Sequence, residues 1–268
     1  MDESIEHVAT WNQSSSSSTV PAGKLLTHGY RSTGTTVCWR LLMRDEQTEL
    51  ADGLHVARTL PVAEAVHRAL VGLAGKGLVV DCPELIGQDG IGQPLSGRHE
   101  HAKILPLDLD GDQVLDHVLL HAPMGLGEVA RQAVHEFRVL RVSALASVRL
   151  RMLGSDHCNA SEKRLVHRFL PPMQGAEVWT SVTPYVPPRF LKKSGKNSLV
   201  GQVQAELATR GFPTALVCEA VPEVSAAMKR FVRTRREGKL PPPQDVGFGL
   251  RLQFAEPVRG PLALGYAS

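Results

Sequence analysis

The order of apolar patterns along residues 37–153 constrains the fold of this chain more than any other feature of its sequence. A β-like run at Val37–Leu42 precedes a helical pattern that begins at Pro61. Two short strand patterns and a second helical pattern follow, and a long β-like run closes the series: Lys103–Leu107, Val114–His121, Leu126–Phe137 and Val139–Leu153. The order β-α-β-β-α-β predicts a ferredoxin-like domain.

A second unit of the same kind is predicted after Pro171. Its strand patterns flank a helix over Ser198–Arg210, which Gly211 and Pro213 end. The strand patterns lie at Val178–Tyr185, Ala215–Val221, Lys229–Arg235 and Phe248–Phe254. We therefore expect an α+β chain with tandem ferredoxin-like (RRM-like) domains, an N-terminal one over 35–158 and a C-terminal one over 159–268. The Ser-rich residues 1–34 are predicted to form a disordered tail or linker.

Charge is distributed unevenly along the chain. Residues 1–60 hold five Lys/Arg against seven Asp/Glu, a net charge of −2. Residues 187–240 hold eleven against four, a net charge of +7. A basic second half is typical of a surface that binds a polyanion, although a solvated face with its acidic groups elsewhere would give the same count.

Cysteine usage and hydropathy bear on the compartment. The four cysteines are widely spaced and no pair has metal-ligand spacing: Cys38, Cys82, Cys158 and Cys218. The acidic N-terminus has no apolar run, and no stretch approaches the roughly 20 apolar residues of a membrane span. We expect a cytoplasmic protein with free thiols and no membrane association.

The segment Leu95–Lys103 contains the densest set of chemically active residue types. His99 and His101 are two residues apart and would share one side of an extended segment, with Arg98 and Lys103 flanking them. Histidine can donate and accept protons near neutral pH. RNA supplies its own nucleophile, the 2′-hydroxyl, so a ribonuclease needs only a base, an acid and cations.

Two metal-binding alternatives arise from nearby residues. His-x-His suits zinc, but no cysteine or second histidine pair lies at a useful spacing. The segment Asp108–Asp112, with Asp116 beyond it, resembles a calcium loop, but its glycine comes one position early and the distal glutamate is missing. The pattern favours a tight turn between two strands. We therefore expect neither a metal nor a cofactor.

Several segments could contact RNA. Trp179 and Tyr185 form an aromatic pair among Ser and Thr residues, ahead of a basic stretch that holds Arg189, Lys192, Lys193 and Lys196. Phe231–Arg236 alternates apolar and basic residues and, as a strand, would place Arg233 and Arg235 on one face beside Arg236. A charged edge strand is the alternative. Gly260–Gly265 could admit an RNA backbone or form a simple turn.

Four passages carry a combined signal: Pro94–His101 with Leu105–Asp108, Asp110–His117, Trp179–Tyr185 and Gly249–Gly265. In combination, they resemble the repeat-cleaving half of the fused handle-binding and endoribonuclease subunit of type I-G (formerly I-U) CRISPR systems, in the RAMP superfamily. The ordered combination is more specific than any single passage. The chain departs from the family because it is short for the handle-binding half and stops before a further Gly-rich stretch.

The resemblance implies a metal-independent endoribonuclease that cuts CRISPR precursor RNA within its repeats and leaves a 2′,3′-cyclic phosphate. Its partners would be the repeat stem-loop of CRISPR RNA and the other subunits of the effector complex. By motif position His99 and His101 would form the site, with His117 behind them. His117 lies among apolar neighbours, a pattern that otherwise favours a core histidine. The main alternative is an RNA-binding scaffold without cleavage.

Overall fold

The computed structural model describes residues 11–13, 35–42, 54–75, 82–88, 93, 95, 101–142, 146–153, 175–233 and 241–266. These residues form two antiparallel sheets with helices packed against them, so the α+β prediction is confirmed. No helix in the described ranges is long and apolar enough to cross a membrane.

The first sheet has five strands in the order β3-β4-β2-β6-β5. Its strands are β2 (Thr35–Leu42), β3 (Lys103–Leu107), β4 (His117–Ala122), β5 (Val139–Val142) and β6 (Ala146–Met152). Every neighbouring pair is antiparallel. The run predicted as one strand over Val139–Leu153 thus forms two strands that pair with each other.

Three helices accompany the first sheet: α1 (Thr59–Ala74), α2 (Pro83–Ile86) and α3 (Glu128–Glu136). The core forms where α1 and α3 bury their apolar residues against one face of the sheet, with Val66, Leu70, Val118 and Leu120 fully buried. This burial follows the helical spacing of the apolar residues, which places them on one side of α1. Helix α2 lies between α1 and β3, where no helix was predicted, and Pro83 begins it.

The second sheet has four strands in the order β1-β7-β9-β8. Its strands are β1 (Trp11–Gln13), β7 (Ala176–Ser181), β8 (Val217–Ala220) and β9 (Leu250–Val258). Strand β1 lies within the segment predicted as a tail, and its pairing with β7 was not predicted. The domain boundaries stay a prediction, because residues 154–174 lie outside the described part of the chain.

Two helices accompany the second sheet: α4 (Leu199–Thr209) and α5 (Pro222–Ala227). Val203 and Leu207 of α4 pack with Trp179 and Phe254 in its core. The segment Pro261–Gly265 is buried as well. A Cβ atom at Gly260 would lie 2.5 Å from the Trp179 ring, which explains the glycine there. This glycine-rich segment is therefore part of the interior and not a surface for RNA.

The prediction of a strand over Lys229–Arg235 is wrong for residues 229–233, the part that the structure describes. Helix α5 runs directly into a 3-10 helix at Met228–Arg230, and Phe231 follows in a bend. Pro222 at the helix start and the helix-forming residues after it override the short alternating pattern. This segment contacts residues that flank the first sheet. The Val232 N–H donates a hydrogen bond of 2.7 Å to the Ala57 carbonyl, and the Arg230 guanidinium donates one of 2.7 Å to the side-chain oxygen of Gln113.

Candidate functional site

A basic loop, Arg189–Asn197, connects β7 to α4. Four of its nine residues are cationic and all four are exposed: Arg189, Lys192, Lys193 and Lys196. No acidic residue occurs between Glu177 and Glu206, so nothing in the surrounding sequence offsets this charge. These are four of the cations that the sequence assigned to RNA, and the structure brings them together in one surface loop.

A buried glutamine of α4, Gln202, ties the two ends of the basic loop together. Its side-chain oxygen accepts a hydrogen bond from the Arg189 N–H at 3.0 Å, and its Nε2 donates to the carbonyls of Arg189 and Asn197, both at 3.1 Å. Gln244 donates to the Arg189 carbonyl at 3.1 Å and accepts from the Leu191 N–H at 3.3 Å. The loop backbone is therefore ordered before a ligand arrives, which reduces the entropic cost of binding.

The basic loop also packs directly on the first turn of α4. Ser198 is the N-cap, and its hydroxyl accepts a hydrogen bond of 3.0 Å from the Gly201 N–H. Gly201 has no room for a Cβ atom, because the Gly195 carbonyl oxygen occupies that space. The partial positive charge at this helix end adds to the field of the lysines and favours a phosphate group.

Phe190 projects from the basic loop with 69% of its surface exposed. The aromatic pair that the sequence assigned to base stacking is instead buried, with Trp179 donating to the Ala176 carbonyl at 2.9 Å and Tyr185 to Glu206 at 3.0 Å. Burial, followed by the charge of Glu206, raises the pKa of the Tyr185 hydroxyl. Phe190 was not among the predicted RNA-binding residues, although an aromatic residue inside a basic run was a usable signal.

His117 lies in β4, buried and held by its neighbour. Its Nδ1 is 2.7 Å from Oδ1 of Asp116, which fixes the orientation of the ring. Its Nε2 is buried and has no hydrogen-bond partner in the described ranges. A carboxylate that orients an imidazole is found in many catalytic and metal sites. In this conformation, however, Nε2 cannot reach a bound phosphate.

The strand register separates His117 from the predicted histidine segment. His117 lies opposite Leu107, whereas His121 lies opposite Lys103, the last residue of the segment Leu95–Lys103. Four residues along a strand span about 13 Å, so His121 is the histidine of β4 nearer to His101. Burial, and then the charge of Lys103, lowers the pKa of His121 to about 4. His121 is therefore neutral at physiological pH.

The described end of the histidine segment is packed into the protein. His101 is 9% exposed and Lys103 5%, so neither presents its side chain freely to solvent. The His101 ring packs over Gly87, where an added Cβ would lie 3.5 Å from Nδ1. The N–H of Ala102, which follows His101, donates a hydrogen bond of 2.7 Å to the Glu84 carbonyl. His99 and Arg98, the other predicted members, lie outside the described residues.

The acidic turn that follows β3 has the hydrogen bonds of an Asp-stabilised turn. Asp108 accepts from the Gly111 N–H at 2.7 Å and from the Gln113 N–H at 2.9 Å, and Gly111 has a φ of 86°. The turn prediction is confirmed. Carboxylate oxygens of Asp108, Asp110 and Asp116 also lie within 4.8 Å of one another, close enough for one cation. Burial is the main reason that the pKa of Asp108 is raised.

Arg233 is the described member of the predicted arginine row, and it is committed to a structural ion pair. Its Nη1 lies 2.7 Å from Oδ1 of Asp245, and its side chain is 12% exposed. Its Nη2 donates to the Met228 carbonyl at 3.3 Å. Arg233 therefore supports the fold and does not lie on a strand with a free face. Arg235 and Arg236 lie outside the described residues.

A cleft of about 210 Å³ lies between the end of β3 and the residues that follow β7 and α5, next to the acidic turn. Leu107, Asp108 and Leu115 line one side, and Thr183 and Phe231 line the other. The cleft is mainly apolar. Its lining shows that Asp108 of the acidic turn faces the residues that follow β7 and α5.

The chain matches no protein-family model, no curated protein and no solved structure. We therefore infer function from the geometry of the described residues and from the resemblance of the four sequence passages.

Proposed function

We propose that this protein binds RNA through the basic loop and cleaves CRISPR precursor RNA within its repeats without a metal. In this proposal it stays on the guide RNA as a subunit of a type I-G effector complex in the cytoplasm. The observation that carries the RNA-binding part is the preorganised loop, in which four exposed cations and an exposed aromatic ring lie within eight consecutive residues, 189–196. Cations position the phosphates, and the ring offers a face to a base.

The strand orders support tandem ferredoxin-like domains. In the first sheet, β2-α1-β3 and β4-α3-β6 are two split βαβ units that interleave as β3-β4-β2-β6, with β5 as an added edge strand. In the second sheet, β7-α4-β8 is also a split βαβ unit, because β9 lies between β7 and β8. Strand β1 occupies the position beside β7 that the fourth strand of such a domain would take. Domains of this kind offer a sheet face and loops to RNA.

Cleavage would proceed by attack of the 2′-hydroxyl on the adjacent phosphorus. The 2′-oxygen–phosphorus bond forms as the bond to the 5′-oxygen breaks, leaving a 2′,3′-cyclic phosphate and a 5′-hydroxyl. One group accepts the 2′-hydroxyl proton and another donates a proton to the 5′-oxygen. The resemblance gives these roles to His99 and His101 without dividing them. His117 would support the site from behind without transferring a proton to RNA itself, because its ring is buried.

A non-catalytic RNA-binding scaffold is the second candidate function. The observation that favours it is the burial of His101 and His117, since a buried imidazole must become accessible before it can transfer a proton to RNA. The basic loop and the two sheets would serve a scaffold equally well.

Cleavage of a labelled repeat RNA in EDTA distinguishes these functions. The wild-type protein would be compared with His99→Ala and His101→Ala, and with His135→Ala, which changes an exposed histidine of α3, as the control. Binding affinity and the urea midpoint would be measured on each. The nuclease proposal expects cutting by wild type and by the control, and loss in both site variants at unchanged RNA affinity. Binding without cutting in all four proteins would establish the scaffold, and cutting that EDTA abolishes would contradict metal independence.

A further inference from the structure

A second group of cations lies on the first sheet, away from the basic loop. Arg149 and Arg151 alternate along β6, and Arg141 lies on the adjoining strand β5. All three are exposed, while the alternate residues Val148 and Leu150 are buried in the core. Successive side chains of a strand point to opposite faces, so the three arginines share the face that is turned away from the helices. We call Arg141, Arg149 and Arg151 the arginine face.

The strand register defines the layout of this face. Val139 of β5 and Leu42 of β2 are the partners of Arg149 on its two sides, and both are exposed, at 39% and 43%. Arg149 and Arg151 are separated by about 7 Å along β6, since residues two apart in a strand are two rises apart. Cations thus alternate with small apolar areas over an open sheet surface, which suits a chain of phosphates with bases or sugars between them.

The strands β5 and β6 and the residues that flank them carry no acidic side chain that could neutralise the arginine face. No acidic residue occurs between Glu136 and Asp156, whereas four arginines do. Among the ion pairs of the described residues, none involves Arg141, Arg149 or Arg151. The positive potential of this face is therefore available to a ligand.

Protection of a sheet edge is not sufficient to explain these arginines. Charged residues on an edge strand prevent pairing with other chains. However, Arg149 and Arg151 lie on β6, which pairs with β2 on one side and β5 on the other. Only Arg141 is on the outer strand. An interior strand has no free edge to protect, so its solvent-facing arginines call for another role.

We propose that the arginine face is a second binding surface for the RNA backbone, separate from the basic loop. This inference rests on the proposed RNA binding but not on cleavage. Arginine binds phosphate through paired N–H donors, and its planar group also stacks on bases. A long RNA would contact both surfaces and gain affinity from the combination, whereas a short one would occupy either.

The test compares two triple variants with equal loss of charge. Arg141→Gln, Arg149→Gln and Arg151→Gln together remove the arginine face. Arg68→Gln, Lys229→Gln and Arg259→Gln remove three exposed cations from other elements. A fluorescein-labelled oligouridylate of about 30 nucleotides is titrated at several salt concentrations. We expect the first variant to lose at least about tenfold in affinity at low salt and the slope of log K against log salt to become shallower by about 2, with the control much closer to wild type.

A lysine triple variant separates the loss of charge from the loss of the arginine side chains themselves. Arg141→Lys, Arg149→Lys and Arg151→Lys together keep the three charges, so the slope of log K against log salt should stay close to that of wild type, although the paired donors of arginine are lost. If the glutamine variant binds oligouridylate as tightly as the control, the inference is overturned while RNA binding stands. In that case, pull-down of effector subunits that depends on the same arginines would identify the face as a protein contact instead. If wild type binds neither oligouridylate nor a repeat RNA at any salt concentration, the RNA-binding proposal itself fails as well.

Discussion

Replacing Lys192, Lys193 and Lys196 together by glutamine removes three of the four cations of the basic loop while leaving its backbone supports in place. The hydrogen bonds that order the loop come from Gln202, Gln244 and Ser198, and none of the three lysine side chains takes part in them. All three lysines are exposed. The change should therefore affect binding of a polyanion and hardly alter the free energy of unfolding.

The size of the effect follows from counterion release. Each phosphate neutralised on a single strand contributes about 0.7 to the slope of log K against log salt, so three lysines contribute about 2. Between 50 and 200 mM salt, these contacts account for about 20-fold of the loss in wild-type affinity. The triple variant should lack that part of the salt dependence.

Fluorescence anisotropy of a labelled repeat RNA at four salt concentrations measures this slope directly. The triple variant Arg68→Gln, Lys229→Gln and Arg259→Gln is the control for net charge. A slope that is the same for the lysine variant and wild type would refute the assignment of phosphate contacts to the basic loop. Equal loss in both triple variants would attribute the effect to net charge alone.

Three further predictions concern single residues. Phe190→Ala should weaken binding of single-stranded RNA by about 1–3 kcal/mol, measured by anisotropy, while Phe190→Trp should retain it. Leu216→Ala, which changes another exposed apolar residue, is the control and should have no effect. Equal affinities of Phe190→Ala and wild type would contradict stacking. Gln202→Leu should lower the free energy of unfolding by about 2 kcal/mol in urea, because backbone groups of the loop lose their partners; an unchanged midpoint would show that the loop is ordered by other contacts. His121 has a depressed pKa of about 4, so the unfolded chain binds an extra proton between that pH and about 6.5. Stability should therefore fall by about 2 kcal/mol from pH 7 to pH 5, and His121→Gln should remove that part of the fall.

Local patterns predicted the elements whose apolar spacing is clear. Strand β3 spans the predicted Lys103–Leu107, and α4 occupies the predicted helix with Ser198 as its cap. Helix α5 and helix α2 were missed although each begins with proline, because both are too short to show a full apolar period. The pairing of β1 with β7 joins residues far apart in sequence, and no local pattern could specify it.

Site residues were predictable where the chemistry is contiguous in sequence. The lysines of the basic loop lie within a few residues of one another, so a charge count found them. The arginine face draws on two strands and depends on their register, so it became visible only when β5 and β6 were paired. The sequence also did not predict which aromatic side chains are buried. Trp179 and Tyr185 are residue types that stack on bases, but both lie in the core. Their exposed counterpart is Phe190.

The most direct test of RNA binding at the basic loop is photo-crosslinking of a 4-thiouridine-labelled repeat RNA, followed by identification of the modified peptides by mass spectrometry. We predict crosslinks within Arg189–Asn197, centred on Phe190, which disappear when excess unlabelled RNA competes. Crosslinks that spare this loop and fall only elsewhere, in a protein that binds the RNA with unchanged affinity, would contradict the account.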